Sequence, residues 1–223
     1  MLLHMSGNQS GKIKFRCVDE SRGGTFSFRN PDSAKSGAED PELIQYIGTS
    51  GVKTCVGVYF KLSDDRCFLA HINGVIRDKE DDNRATRVCP SDADGEAIKN
   101  IVKEKLEAEA QQEQWDKPDM IIRESLLMVC PEPETYAIFT ELGDGPTKQT
   151  GWWVAEGIRE FLNLPDAPLM MKAGFVVGHR DGHRQLLTHD SVAASSGVDP
   201  PELAGYEKVP ERAAGDWPVE IRR

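Results

Sequence analysis

The alternation of apolar and polar residues predicts a hairpin of two buried strands in the first half of the chain. Residues 54–62 (TCVGVYFKL) and 67–73 (CFLAHIN) are mostly apolar, and the polar run SDDR between them is typical of a tight turn. The preceding segment 43–48 (LIQYIG) has the composition of another strand. These runs together predict the centre of a β-sheet.

Two longer segments carry the repeat of an amphipathic helix. The first spans 91–112 and begins at the cap candidates Ser91 and Asp92. Its apolar residues recur at helical spacing (Ala97, Ile98, Ile101, Val102 and Leu106). The second spans 150–164 (TGWWVAEGIREFLNL), and Pro165 is expected to end it.

Three further segments complete the predicted fold. Residues 119–131 and 135–142 are predicted as core strands, and 172–190 as a closing hairpin that turns at Asp181-Gly182. The order of elements predicts an α/β fold. We expect a layered sandwich with a mixed β-sheet core flanked by two main helices.

The composition divides the chain into three regions. Residues 1–40 are predicted to be a polar N-terminal extension that includes a possible edge hairpin. Residues 41–190 are predicted to form the α/β domain. Residues 191–223, rich in Pro, Ala and Gly, are expected to be an extended C-terminal tail.

Charge and cysteine content restrict the function classes. The chain has 27 basic and 37 acidic residues and a net charge of −10, which argues against nucleic acid and anionic membranes as partners. Its five cysteines are scattered without a C-x-x-C pair, which favours a reducing, intracellular environment. No segment resembles a signal peptide or a membrane span. We therefore expect a cytoplasmic protein; its oligomeric state is left open.

Cys55 and His71 are the candidate chemical groups of the predicted hairpin. With a turn centred near residue 63 they would lie opposite each other, with Cβ atoms roughly 4.5 to 5.5 Å apart. An imidazole at that distance can activate a thiol. Gly48 and Gly51 lie in the loop before Cys55, where backbone N–H groups could bind an oxyanion. The alternatives are a buried cysteine and a core histidine that only pack, or Cys67 as the nucleophile.

The run from Thr49 to Cys55 (TSGVKTC), followed by an apolar strand and LAH, resembles the signature of the CheD chemoreceptor glutamine deamidases. In that family T-x-G-x-G-S-C leads into an apolar strand and then Ala-His. The family is similar in its catalytic core to the Rho-activating domain of the cytotoxic necrotizing factors and to a Burkholderia lethal toxin. The resemblance covers about residues 43–190 and differs at Lys53, at Thr54 and in a Cys-to-His interval that is one residue shorter.

The resemblance implies a role for each matching residue. Cys55 would be the nucleophile, His71 the general base, and Thr49 the residue that orients the histidine. The loop residues with a substrate or oxyanion role would be Ser50, Gly51, Lys53 and Thr54.

The implied activity is deamidation of a glutamine side chain on a partner protein, with no cofactor and no metal. The same site could accept an amine in place of water and act as a transglutaminase. The alternative from another class is a non-catalytic protein-interaction domain on the same fold, in which Cys55 and His71 only pack.

Two other features have less specific explanations. His179 and His183 have a spacing that suits a metal on a helix, but here they flank the predicted turn at Asp181-Gly182, which favours a solvated turn. Trp152-Trp153 could form a recognition platform, although packing at the core edge is the simpler explanation.

Overall fold

The computed structural model describes residues 11–29, 43–81, 84–115, 120–131, 134–136, 146–188, 200–211 and 213–223. Within these residues the fold is α/β and consists of three layers: a five-stranded sheet, an eight-stranded sheet and a layer of helices. This confirms the predicted fold class.

The five-stranded sheet forms one outer layer. Its strands in spatial order are β12 (Arg184–Leu187), β11 (Gly174–Gly178), β3 (Tyr46–Ser50), β1 (Ile13–Cys17) and β13 (Tyr206–Pro210). Strand β1 runs parallel to both of its neighbours, whereas β3 and β11 are antiparallel.

The eight-stranded sheet is the middle layer. Its main path is β10 (Leu169–Met170), β7 (Leu127–Val129), β4 (Val56–Lys61), β5 (Arg66–Arg77), β2 (Arg22–Ser27) and β14 (Gly215–Asp216). Strands β6 (Ala85–Thr86) and β15 (Pro218–Arg222) also pair with β5. A separate pair consists of β8 (Glu134–Tyr136) and β9 (Pro146–Lys148).

The alternation along β4 and β5 determines which core each side chain joins. On β4, Val56, Val58 and Phe60 face the helices, whereas Tyr59 faces the five-stranded sheet. Strand β5 alternates in the same way and is buried on both faces along most of its length. The predicted hairpin is therefore confirmed, and its inner face lies between the two sheets.

Helices α1 (Asp92–Gln112) and α3 (Thr150–Leu162) cover the other face of the eight-stranded sheet. The Ser91 hydroxyl accepts the N–H of Asp94 and caps α1, as its sequence predicts. Helix α3 ends at Leu162, and its C-cap residue Asn163 adopts the left-handed conformation (φ 53°) two residues before Pro165. Both predicted helices are confirmed.

The terminal segments differ from the sequence prediction. Strands β1 and β2 were expected as an edge hairpin outside the domain, but they belong to different sheets, and β1 is an interior strand. Residues 200–223 were expected in an extended tail, but their described part contains a short 3₁₀ helix (Pro201–Leu203) and strands β13, β14 and β15. These strands pair with partners more than a hundred residues away, which local composition does not encode.

The segment 119–131 also differs from its prediction as one strand. Residues Met120–Ser125 form helix α2, and only Leu127–Val129 form a strand. The Ser125 hydroxyl accepts the backbone N–H of Lys61, so the helix places a polar group against β4. Of the predicted strand 135–142, residues 137–142 lie outside the described residues. The closing hairpin is confirmed as β11 and β12.

No helix in the described part of the chain combines the length and the apolar character needed to cross a bilayer.

The contact between α1 and α3 generates a stability prediction at Gly95. A Cβ atom there would lie about 2.0 Å from Trp153 Cε2, because the indole packs directly on the glycine. We expect Gly95→Ala to lower the free energy of unfolding by about 1–3 kcal/mol, measured by urea denaturation.

The matched control is the reverse exchange at Ala108, which is exposed on the same helix. Helix propensity alone would make Ala108→Gly destabilising by about 1 kcal/mol and Gly95→Ala stabilising by a similar amount. An increase in stability for Gly95→Ala would contradict the proposed packing.

Candidate functional site

The loop that connects β3 to β4 places Cys55 at the start of a buried strand. Gly51 adopts a positive φ of 74°, and the Val52 N–H is already bonded to the Ala173 carbonyl at 3.0 Å. The Cys55 side chain points between the two sheets and is only 2% exposed. At rest the thiol is therefore a member of the core that the sheets share.

The other predicted loop residues differ in their surroundings. Ser50 is half-buried at the end of β3, and Lys53 is exposed. Thr54 is half-buried, and its buried hydroxyl oxygen has no hydrogen-bond partner within the described ranges. Their predicted role in binding substrate or an oxyanion stays a prediction.

The register of the hairpin corrects the expected pairing of Cys55 with His71. Val56 pairs with Ile72, so the hairpin centre is residue 64 rather than 63, and His71 lies opposite Gly57. Cys55 precedes Gly57 by two residues and so shares its face, which makes Cys55 and His71 diagonal neighbours. The two side chains form no hydrogen bond, because His71 Nε2 has no partner among the described residues.

A glycine opposite His71 leaves room for a contact with the other sheet. A Cβ atom on Gly57 would lie 2.9 Å from Thr49 Cγ2. Thr49 Oγ1 lies 2.9 Å from His71 Nδ1 and donates its proton to the Val18 carbonyl at 2.8 Å. The structure thus places Thr49 against His71, the contact that the resemblance implies for an orienting residue.

The Thr49 contact assigns the proton on His71. A hydroxyl has one proton, and a carbonyl oxygen can only accept a hydrogen bond. The Thr49 hydroxyl proton therefore lies in the hydrogen bond to the Val18 carbonyl. Thr49 Oγ1 must then accept the Nδ1–H of His71. His71 Nε2 consequently carries a lone pair, and this buried atom has no hydrogen-bond partner in the part of the chain that the structure describes. An imidazole in this state can act as a base at Nε2.

Electrostatics keep both groups neutral in the resting protein. Burial, with a smaller contribution from Arg87, lowers the pKa of His71 to about 4. Burial, and next the Glu20 carboxylate, raises the pKa of Cys55 to about 12. The site therefore holds a thiol and a neutral imidazole rather than a thiolate–imidazolium pair.

Sequence reasoning missed three polar residues around the thiol. Cys55 Sγ lies 3.7 Å from Glu20 Oε1, and Asn73 Nδ2 and Arg87 Nη2 donate to the same oxygen at 2.5 and 3.2 Å. Asn73 could have been found, because it lies two residues after His71 and shares its face of β5. No local signal marks Glu20 or Arg87, which reach the site from distant segments.

Two backbone hydrogen bonds hold this polar cluster in place. Ser21 N–H donates to the His71 carbonyl at 2.8 Å and ties the turn that carries Glu20 to β5. Thr150 N–H donates to the Arg87 carbonyl at 2.8 Å and ties Arg87 to the start of α3. The cluster is therefore attached to both a sheet and a helix.

The other candidate groups have structural surroundings. His179 is buried, stacks on Phe28 at 4.1 Å, accepts from the Tyr59 hydroxyl and donates to the Asp64 carbonyl. His183 is exposed and bonds the Tyr206 hydroxyl. No cluster of three or more His, Cys, Asp or Glu suited to a metal occurs among the described residues.

The paired tryptophans and Cys67 lie outside this cluster. Trp153 packs on Gly95 of α1, and the Lys148 ammonium lies 3.4 Å from the centre of the Trp152 ring. Cys67 is fully buried, and burial raises its thiol pKa above the ordinary range. Cys67 lies four residues before His71 on the same strand, about 13 Å along β5, so it is a weaker nucleophile candidate than Cys55.

Comparisons with known proteins add no family assignment. No protein-family model matches the chain, and neither curated proteins nor solved structures contain a significant match to it. The resemblance to the CheD deamidases therefore rests on the motif residues and on the order of elements.

The assigned tautomers generate a spectroscopic prediction. At neutral pH, His71 should carry its proton on Nδ1 and His179 should carry its proton on Nε2, because each proton faces an acceptor. Long-range ¹H–¹⁵N correlation spectra should show the two buried rings as opposite tautomers, and His179 serves as the internal control. Both rings should stay neutral until the pH falls to about 4. An Nε2–H tautomer for His71 would contradict its proposed basic atom.

A second prediction concerns the Thr49 hydroxyl. Thr49→Val keeps the side-chain shape but leaves the His71 Nδ1–H and the Val18 carbonyl without their partner. We expect it to lower the free energy of unfolding by about 1–3 kcal/mol, measured by chemical denaturation. Thr49→Ser, which retains the hydroxyl, is the matched control and should keep the tautomer of His71. Equal stability of the Val and Ser variants would contradict the assigned hydrogen bonds.

Proposed function

We propose that the protein is a thiol amidohydrolase that converts a glutamine side chain of a partner protein to glutamate. The observation that supports this most is the orientation of His71 by Thr49, which leaves the Nε2 lone pair on the same inner face as Cys55. The resemblance of residues 49–55 and His71 to the CheD deamidase motif supports the same reaction.

The proposed reaction uses a neutral pair in its first step. His71 Nε2 takes the thiol proton while Cys55 Sγ attacks the carboxamide carbon, and the carbonyl electron pair moves to oxygen. His71 returns the proton to the leaving nitrogen, ammonia departs, and a thioester remains. Water then attacks the thioester with His71 as base, which releases glutamate and restores the thiol. An amine in place of water would give the transglutaminase outcome.

The neutral resting state requires a rearrangement when substrate binds. The thiol must leave its contact with Glu20 and come within hydrogen-bond distance of His71 Nε2. Diagonal neighbours on paired strands are close enough for such a change by side-chain rotation, and catalytic hydrogen bonds often form only in the substrate complex. The Thr49 contact holds the imidazole while the thiol moves.

The low exposure of Cys55 favours a second candidate, a non-catalytic protein-interaction domain. A side chain that is 2% exposed and has a pKa raised to about 12 is the expected state of an inert core cysteine. In that case Cys55→Ser would change stability without changing any activity.

Ammonia release provides the direct test. The full chain is incubated with a library of glutamine-containing peptides, and deamidation is read from the ammonia formed and from peptide masses. We expect release by the wild-type protein, none by Cys55→Ala, and a rate lowered about 10²- to 10⁴-fold by His71→Ala. Cys67→Ala is the control, because Cys67 is a buried thiol on the same hairpin. Equal rates in wild type and Cys55→Ala would contradict the proposal and support the interaction domain.

A further inference from the structure

One carboxylate oxygen faces three hydrogen-bond donors at the candidate nucleophile. Glu20 Oε1 accepts the Asn73 amide at 2.5 Å and the Arg87 guanidinium at 3.2 Å, and the Cys55 thiol points to the same atom at 3.7 Å. Arg87 Nε also donates to the Asn73 side-chain oxygen at 3.2 Å, which orients the two donors towards each other. The site binds an oxygen with negative charge next to the sulfur.

We propose that Asn73 and Arg87 form the oxyanion site of this centre and that the Glu20 carboxylate occupies it in the resting protein. This inference rests on the proposed function. During attack of a thiol on an amide, the carbonyl oxygen becomes negative while its carbon bonds the sulfur. The oxygen therefore needs N–H donors close to the nucleophile, which is where Glu20 Oε1 lies.

The alternative for these contacts is a surface ion pair that only adds stability. The side chains of Arg87 and Glu20 are 42% and 48% exposed, and such pairs contribute little to the free energy of unfolding. Stability does not explain why the same oxygen also receives the thiol of a buried cysteine. A carboxylate in this position opposes formation of a thiolate, so it holds the nucleophile in its unreactive form.

Displacement of Glu20 would prepare the site in a single step. When a substrate carboxamide enters, its oxygen replaces Glu20 Oε1 on Asn73 and Arg87. The thiol then loses its carboxylate partner and can pass its proton to His71 Nε2. The developing oxyanion takes the two donated hydrogen bonds, and these bonds remain until ammonia leaves and the carbonyl re-forms. Substrate binding and activation of the nucleophile are thereby coupled.

Alkylation of Cys55 tests the occupied site independently of amide hydrolysis. The rate of modification by iodoacetamide is followed at neutral pH by peptide mass spectrometry. Glu20→Ala should accelerate Cys55 alkylation about tenfold or more, the change that corresponds to one pKa unit in thiolate fraction. Glu20→Gln, which keeps the side-chain volume, should give a smaller acceleration. The control is Asp19→Ala, because Asp19 is the neighbouring acidic residue of the same turn and is exposed.

Added acetate distinguishes a specific anion-binding site from a general effect of charge on the alkylation rate. In the Glu20→Ala protein, sodium acetate should slow Cys55 alkylation with a saturable dependence, whereas sodium chloride at the same ionic strength should not. Introducing Asn73→Ala or Arg87→Gln into Glu20→Ala should abolish this protection. Protection that persists without Asn73 and Arg87, or no acceleration by either Glu20 variant, would overturn the proposal.

The proposed oxyanion role is tested by comparing two reactions of the same thiol. Iodoacetamide reacts at a saturated carbon with loss of iodide and forms no oxyanion. Asn73→Ala in the Glu20→Ala background should therefore leave alkylation in the absence of acetate unchanged but lower kcat for glutamine hydrolysis about 10²- to 10³-fold. A parallel fall in both rates would overturn the oxyanion role. Acetate protection without ammonia release by any variant would contradict the proposed hydrolase while supporting the anion site.

Discussion

A buried chain of hydrogen bonds constrains the relative position of the two sheets at the candidate site. It runs from the Val18 carbonyl through the Thr49 hydroxyl to His71 Nδ1 and crosses the largely apolar interlayer. A slip of either sheet would leave these groups without partners in a region that water does not reach, at a cost of about 1–3 kcal/mol for each group. Gly57 permits the close approach, since any larger side chain would push against Thr49. Sheet alignment and the proton position on His71 therefore have the same physical origin.

Two histidines at similar burial differ in the hydrogen bonds of their ring nitrogens. Both ring nitrogens of His179 are engaged, by the Tyr59 hydroxyl and by the Asp64 carbonyl, and its ring stacks on Phe28. Among the described residues only one nitrogen of His71 has a hydrogen-bond partner, and its buried Nε2 carries an unused lone pair. An unsatisfied buried acceptor costs free energy, and this one lies on the same inner face as a cysteine, which is the basis of the chemical role that we propose for His71.

The site also lies at a boundary between two electrostatic environments. Cys55 and His71 are in the dry interlayer, where burial disfavours the charged form of each. Glu20 and Arg87 lie at its rim and are about half exposed, so their charges are partly screened. The thiol is the point at which the two environments meet. A change in what occupies the rim can therefore alter the electrostatic environment of the thiol inside.

The sequence by itself determined the elements whose signals are local. Alternation and the SDDR turn specified β4 and β5, helical spacing with the Ser91 cap specified α1, and the motif residues indicated Thr49, Cys55 and His71. The segment 119–131 was misassigned, because a short apolar run fits a helix or a strand equally well. Local pattern thus located the candidate groups and most of the framework around them.

Only the tertiary structure decided how these elements meet. A shift of one residue in the hairpin centre moved the partner of His71 from Cys55 to Gly57, and periodicity does not determine register at that accuracy. The terminal strands entered the sheets through pairings over long sequence distances. Glu20 and Arg87 reached Cys55 through backbone contacts with β5 and α3. Such contacts depend on the packing of whole layers, because no local sequence signal specifies which distant surface a turn will meet.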